Sequence, residues 1–147
     1  MNVKAAAAAV GAMLLLAACG GSSGSSAGVP AVVAGSASTW AAVTVSAEST
    51  SAEVPADARK NLTPLLATRA LDRPASLVEY GLDRPQAELT YHGRSGSTAD
   101  VTVGQPNFDR HFVYVQRRGR PTVYLVPADT LRPVLARVGI EIKPPPE

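Results

Sequence analysis

The chain offers one cysteine, two histidines, two phenylalanines and one tryptophan among 147 residues, and aromatic side chains make up only 5% of it. A single thiol excludes an internal disulfide, so packing and hydrogen bonding must hold the fold. Histidine and cysteine are scarce and never closely paired, which speaks against zinc, since a zinc site needs three or four ligands converging on one point. No metal site and no cofactor are expected. Charge is nearly balanced, with 14 basic against 12 acidic side chains. Nucleic-acid binders carry a marked basic excess, so nucleic acid is not an expected partner. The one long apolar run, Ala5 to Leu16, falls short of the roughly 20 residues that a spanning helix requires.

Where that run stops matters more than its length. Lys4 supplies a positive start, Ala17 and Ala18 supply small residues, and Cys19 follows. This is the layout of a cleaved export signal. The segment Leu16-Ala17-Ala18-Cys19 resembles the lipobox of bacterial lipoproteins, in which the cysteine thiol takes a diacylglyceryl group and becomes the first residue of the mature protein. Residues 1–18 are therefore expected to be a signal peptide, with Cys19 as the lipidation site. An exported free thiol is otherwise an oddity. Each buried CH₂ of an acyl chain contributes ~0.8 kcal/mol, and two chains anchor stably where one does not. The expected location is extracytoplasmic, on a bacterial membrane reached through the lipid.

Gly20 to Ser26 is all glycine and serine, and low complexity continues to Ser38. Residues 19–38 read as a tether with a root-mean-square reach of roughly 25 Å. Pro144-Pro145-Pro146 marks residues 143–147 as a stiff tail that neither a helix nor a sheet interior accepts. Residues 39–142 remain for a single domain, which at this size buries only ~60–65% of its unfolded surface.

Within that domain Trp40 to Ser46 has the β-branched character of a strand. Thr63-Pro64 reads as a cap followed by proline at a first helical position. With Leu62, Leu65 and Leu66 on a helical spacing, a short helix from about Ala58 to Ala70 is predicted, bent or restarted at Pro64. Ser76 can cap a single turn through Tyr80 that Gly81 stops in the left-handed region. From Gln86 the period becomes two: Ala87, Leu89 and Tyr91 alternate with Glu88, Thr90 and His92. Three further strands follow, Thr98 to Gly104, Arg110 to Arg117 and Thr122 to Val126. Short turns at Gly93 to Gly96 and Arg118 to Arg120 and a longer loop, Gln105 to Asp109, join the four. Asp129 then caps a helix carrying Leu131, Val134, Leu135 and Val138. The predicted class is α+β, a small antiparallel four-stranded meander packed against two short helices.

The succession Leu62 to Leu71, Glu79-Tyr80-Gly81-Leu82-Asp83-Arg84-Pro85, Val101-Thr102-Val103-Gly104, Phe112-Val113-Tyr114-Val115 and Thr122-Val123-Tyr124-Leu125-Val126 resembles the family of domain of unknown function 4340, over roughly Leu62 to Val138. The resemblance implies an envelope protein of unsettled role, some members being associated with ABC-type export or gliding-related membrane complexes. Members often carry a longer domain or a repeated unit, whereas this chain has room for one.

No catalytic constellation stands out. His92 and His111 with Glu88, Asp100 or Asp109 lack metal-ligand spacing, and both read as solvated strand residues. Ser95 sits in a hairpin turn without the Gly-x-Ser-x-Gly elbow. The tyrosines Tyr80, Tyr91, Tyr114 and Tyr124 read as core and cross-strand packing rather than a stacking surface. Arg110, Arg117, Arg118 and Arg120 gather at the ends of one hairpin, where guanidinium groups can bind the oxygens of an acidic partner or a phosphate headgroup. Arg117, Arg118 and Arg120 are the candidate partner contact. The expected function is a non-enzymatic binding or assembly module, accessory to an envelope transport or motility-type complex. The alternative is a small ligand-binding or hydrolytic lipoprotein with a cleft between sheet and helices.

Overall fold

A computed structural model describes residues 29–147. The strands are β1 (Ala31–Val33), β2 (Trp40–Ala47), β3 (Thr50–Glu53), β4 (Leu65–Leu66), β5 (Arg69–Leu71), β6 (Ala87–Gly93), β7 (Thr98–Pro106), β8 (Phe112–Arg117) and β9 (Val123–Pro127). Two helices join them, α1 (Ala56–Arg59) and α2 (Ala128–Leu135). The architecture is α+β, mostly antiparallel sheet with little helix.

The expected meander exists, but as the middle of something larger. Strands β6, β7, β8 and β9 are consecutive neighbours in a seven-stranded sheet of order β3-β2-β6-β7-β8-β9-β5, not a four-stranded one. The hairpin β2–β3 adds to one edge, with Val43 opposite Tyr91 and Val45 opposite Leu89. Strand β5 adds to the other, with Arg69 opposite Leu125. A separate two-stranded ribbon pairs β1 with β4. The residues Ala31–Val33 thus belong to the fold although their composition reads as tether: Val32 and Val33 are buried.

The helix predicted over Ala58 to Ala70 is absent. One turn forms, α1, and Thr63 then donates its hydroxyl to the Arg59 carbonyl at 3.0 Å, ahead of a cis Thr63-Pro64 bond. A residue before proline is biased out of the helical region. Beyond Pro64 the chain is extended, and Leu65 is buried while its neighbour Leu66 faces outward. The spacing of Leu62, Leu65 and Leu66 fits one helical face, but it equally fits a turn followed by a strand. Pairing to β1 and β9 decides for the strand.

Helix α2 forms where periodicity places it, starting one residue ahead of Asp129 at Ala128, with Pro127 at the cap position and no side-chain cap. The Ala128 N–H finds the His111 carbonyl at 2.8 Å instead, and Asp129 pairs with Arg132. Leu131, Val134 and Leu135 on this helix cover one face of the sheet, together with Val33, Val54, Leu62, Leu65 and Ile142. That face carries Val43, Val45, Leu89, Tyr91, Val101, Val103, Val113 and Val115, all with essentially no exposure. Each such side chain contributes about 1.5–3 kcal/mol on burial, which is where the domain's stability resides. One helix and an irregular layer thus do the covering expected of two.

Candidate functional site

The opposite face of the sheet is where the quoted motifs meet. Ser76 Oγ accepts from the Val78 N–H at 3.3 Å, a 3₁₀ turn runs Val78–Tyr80, and Gly81 ends it at φ 69° in the left-handed region. The turn lies across the far end of β7. A Cβ on Gly104 would sit 2.3 Å from the Tyr80 carbonyl oxygen and 3.1 Å from Leu82, so only glycine allows the turn this close. Gln86 Nε2 donates to the Gly104 carbonyl at 2.7 Å, and the Tyr80 ring packs at a tilt of 55° against Tyr114 with centroids 4.7 Å apart. Leu82 is buried here, outside the main core. The tyrosine-glycine-leucine turn, the glycine-ended strand and the mid-strand tyrosine are one packing unit. Their spacing secures a second, smaller apolar cluster.

From β2 to β8 the rest of this face is mostly polar: Thr44 and Ser46 on β2, Glu88 and Thr90 on β6, Asp100 and Thr102 on β7, Gln116 on β8. Arg118 lies across it. Its guanidinium reaches Asp100 on β7 at 3.2 Å and Glu88 on β6 at 3.0 Å, and its backbone N–H bonds the Asp100 carbonyl at 2.9 Å. This clamp removes Arg118 from the expected basic rim. Among the described residues Arg117 and Arg120 pair with no carboxylate. Arg110 is at the other end of β8, about 20 Å away by the rise of a strand, and its Nη1 donates to the Pro144 carbonyl at 3.3 Å. The four arginines therefore split into a turn bearing Arg117 and Arg120, a clamp and a strap on the proline tail.

The histidines do not converge. His92 pairs with Thr98 at the start of β7, whereas His111 adjoins the strand that pairs at Pro106, so about 25 Å of strand separates them. Among the described residues no three His, Cys, Asp or Glu side chains gather into a metal-binding group. Tyr91 is in the core, its ring edge-on to Trp40 at 5.4 Å, and its hydroxyl donates to the Leu62 carbonyl at 2.9 Å. Burial pushes its phenol well above the usual tyrosine value. Tyr124 packs against the same core.

The loop joining β7 to β8 is built with unusual care. The Asn107 N–H bonds the Phe112 carbonyl at 2.8 Å, and the Phe112 N–H returns to Asn107 Oδ1 at 3.0 Å. Arg110, at φ 60°, donates its N–H to the Asn107 carbonyl at 3.0 Å. The His111 N–H donates to Asp109 Oδ1 at 3.1 Å and holds that carboxyl below the usual carboxylate value. At the tip stands Phe108, 102% exposed, as open as in an extended peptide. Alternation does not single it out, because a loop residue has no period. Elsewhere an open depression of about 490 Å³ lies between the α1–β4 connection and the start of α2, lined by Lys60, Asn61, Pro64, Leu66, Asp129 and Thr130 among others.

A model of the family described as Domain of unknown function (DUF4340) matches residues 50–138. The chain belongs to that family. The matched span begins at Thr50, ahead of Leu62 where the resemblance starts, and so takes in β3 and α1 before ending with the last turn after α2. For this DUF4340 domain the packing unit of Tyr80, Gly81, Leu82, Gly104 and Tyr114 gives the motifs that carry the resemblance a physical meaning. No curated protein and no solved structure matches it.

Proposed function

We propose that this DUF4340 protein is a membrane-anchored extracytoplasmic lipoprotein whose domain acts as a non-enzymatic binding or assembly module, accessory to an envelope transport or motility-type complex. The observation that carries the reading is Leu16-Ala17-Ala18-Cys19 at the end of an apolar run opened by Lys4. That segment lies outside the described residues, so its support is chemical: the only thiol of the chain stands where acylation would consume it. The turn with Arg117 and Arg120 supports the binding half, because two guanidinium groups without a carboxylate partner can take a bidentate anionic group from another protein.

The narrowed contact has a direct test. Arg117→Ser with Arg120→Ser, leaving the Arg118 clamp intact, is expected to reduce the recovery of a membrane protein cross-linked to the wild type in intact cells. Undiminished recovery contradicts the assignment. The second reading, a small ligand-binding or hydrolytic lipoprotein, has in its favour the depression beside Lys60, Asn61 and Thr130, whose volume falls in the range of small-molecule sites.

A further inference from the structure

The two ends of the sheet differ in character. At one end are the β6–β7 hairpin with Arg94 and the turn with Arg117 and Arg120. At the other are the Phe108 loop and, packed over Gly104 and Gln105, the turn whose Val78 is 64% exposed. Phe108 is held out by a loop whose backbone groups are tied to one another and to the side chains of Asn107 and Asp109. A ring kept fully in water by a pre-ordered loop has already lost its loop entropy, so it meets an apolar phase at little further cost.

We propose that the Phe108 loop is a membrane contact: the ring enters the interfacial layer of the bilayer to which the chain is anchored, and so orients the domain with its arginine turn outward. This rests on the lipoprotein reading. From Cys19 to Val29 the chain can span at most about 35 Å, close to the diameter of about 35 Å expected for a domain of this size. A tether that long lets the loop reach the surface unless the chain leaves the domain at the pole opposite Phe108. One aromatic ring is too little to capture a free protein on a bilayer, but anchoring makes the second contact intramolecular and raises its effective concentration to the millimolar range. Asp109 and Arg110, which follow Phe108, carry opposite charges, so insertion should not depend on lipid charge. A bilayer is favoured over a protein pocket because the ring stands alone at a tip, where interface anchors are normally clustered and ringed by further contacts. With the ring inserted, the arginine turn lies at the far end of β8, about 20 Å further from the lipid.

The test uses the full chain, purified from bacterial membranes with the acyl state of Cys19 read by mass and reconstituted into phosphatidylcholine vesicles. Phe108→Trp adds an indole to the buried Trp40, and the wild type supplies the Trp40 background. The expected result is a blue-shifted extra emission that is lost when the lipid chains are brominated, unchanged by added salt. Acylated protein whose extra emission stays water-like and unquenched overturns the proposal and leaves the anchor standing. Protein without an acyl group overturns the anchor and the proposal together. Quenching that requires phosphatidylglycerol and disappears with salt assigns the contact to charge attraction beside the ring and also overturns it, as does a photo-crosslinking side chain at position 108 that captures protein instead of lipid in cells.

Discussion

Tyr91 joins the main sheet to the irregular layer that covers it. Its ring is inside the core, and its hydroxyl serves the Leu62 carbonyl of the segment between α1 and β4, 29 residues away in sequence. Tyr91→Phe keeps the ring and strands that carbonyl, so a loss of about 1–2 kcal/mol is expected, read as a lower urea midpoint at unchanged slope. The pH dependence has a defined sign. Burial raises the phenol above its value of about 10 in the unfolded chain, so its contribution is complete below that pH and declines as the pH climbs from there towards the folded value. The wild type should lose stability above about pH 10 more steeply than Tyr91→Phe. That Tyr91 points inward is legible from its alternation with Thr90 and His92; the carbonyl it serves is not, because nothing local marks a partner so distant. The same limit applies to Arg118. Its charge is plain, but the carboxylates that claim it lie on two other strands.

Among elements, the turn Val78–Tyr80 and the strand β7 carry the most specific interaction. Gly104→Ala would place a methyl group 2.3 Å from a backbone oxygen, which no rotamer can relieve. We expect destabilisation by about 1–3 kcal/mol and loss of the near-ultraviolet dichroism of the Tyr80–Tyr114 pair, while far-ultraviolet dichroism stays close to that of the wild type. Retained stability with an unchanged tyrosine signal would show that the turn does not pack as described. At this scale the sequence is readable where a period runs long enough. Strands β6 to β9 alternate over five or more residues each and are predicted close to their observed bounds. The segment from Ala58 to Ala70 is misread as helix because three leucines in five positions suit either period, and the outcome depends on strands that pair from elsewhere. Helix α2 is found because Leu131, Val134 and Leu135 leave it one apolar face and the sheet needs that cover.

For the whole molecule, the sheet is wider than its central meander because β2 with the short, polar β3 completes one edge and the short β5 the other. Thr50–Glu53 and Arg69–Leu71, like Ala31–Val33 in the separate ribbon, are three or four residues each, too short for any pattern to declare itself. The candidate arginine site is legible as charge, but its division into a clamp, a strap and two guanidinium groups that pair with no carboxylate among the described residues needs the strand register. The proposed function depends on a lipid graft at Cys19, and the most direct measurement of that graft is mass spectrometry of the N-terminal peptide from protein extracted from bacterial membranes. It should begin at Cys19 and carry the mass of a diacylglyceryl group, and Cys19→Ala should abolish that species. A peptide that still begins at Met1, with the Cys19 thiol free to alkylate, would contradict it.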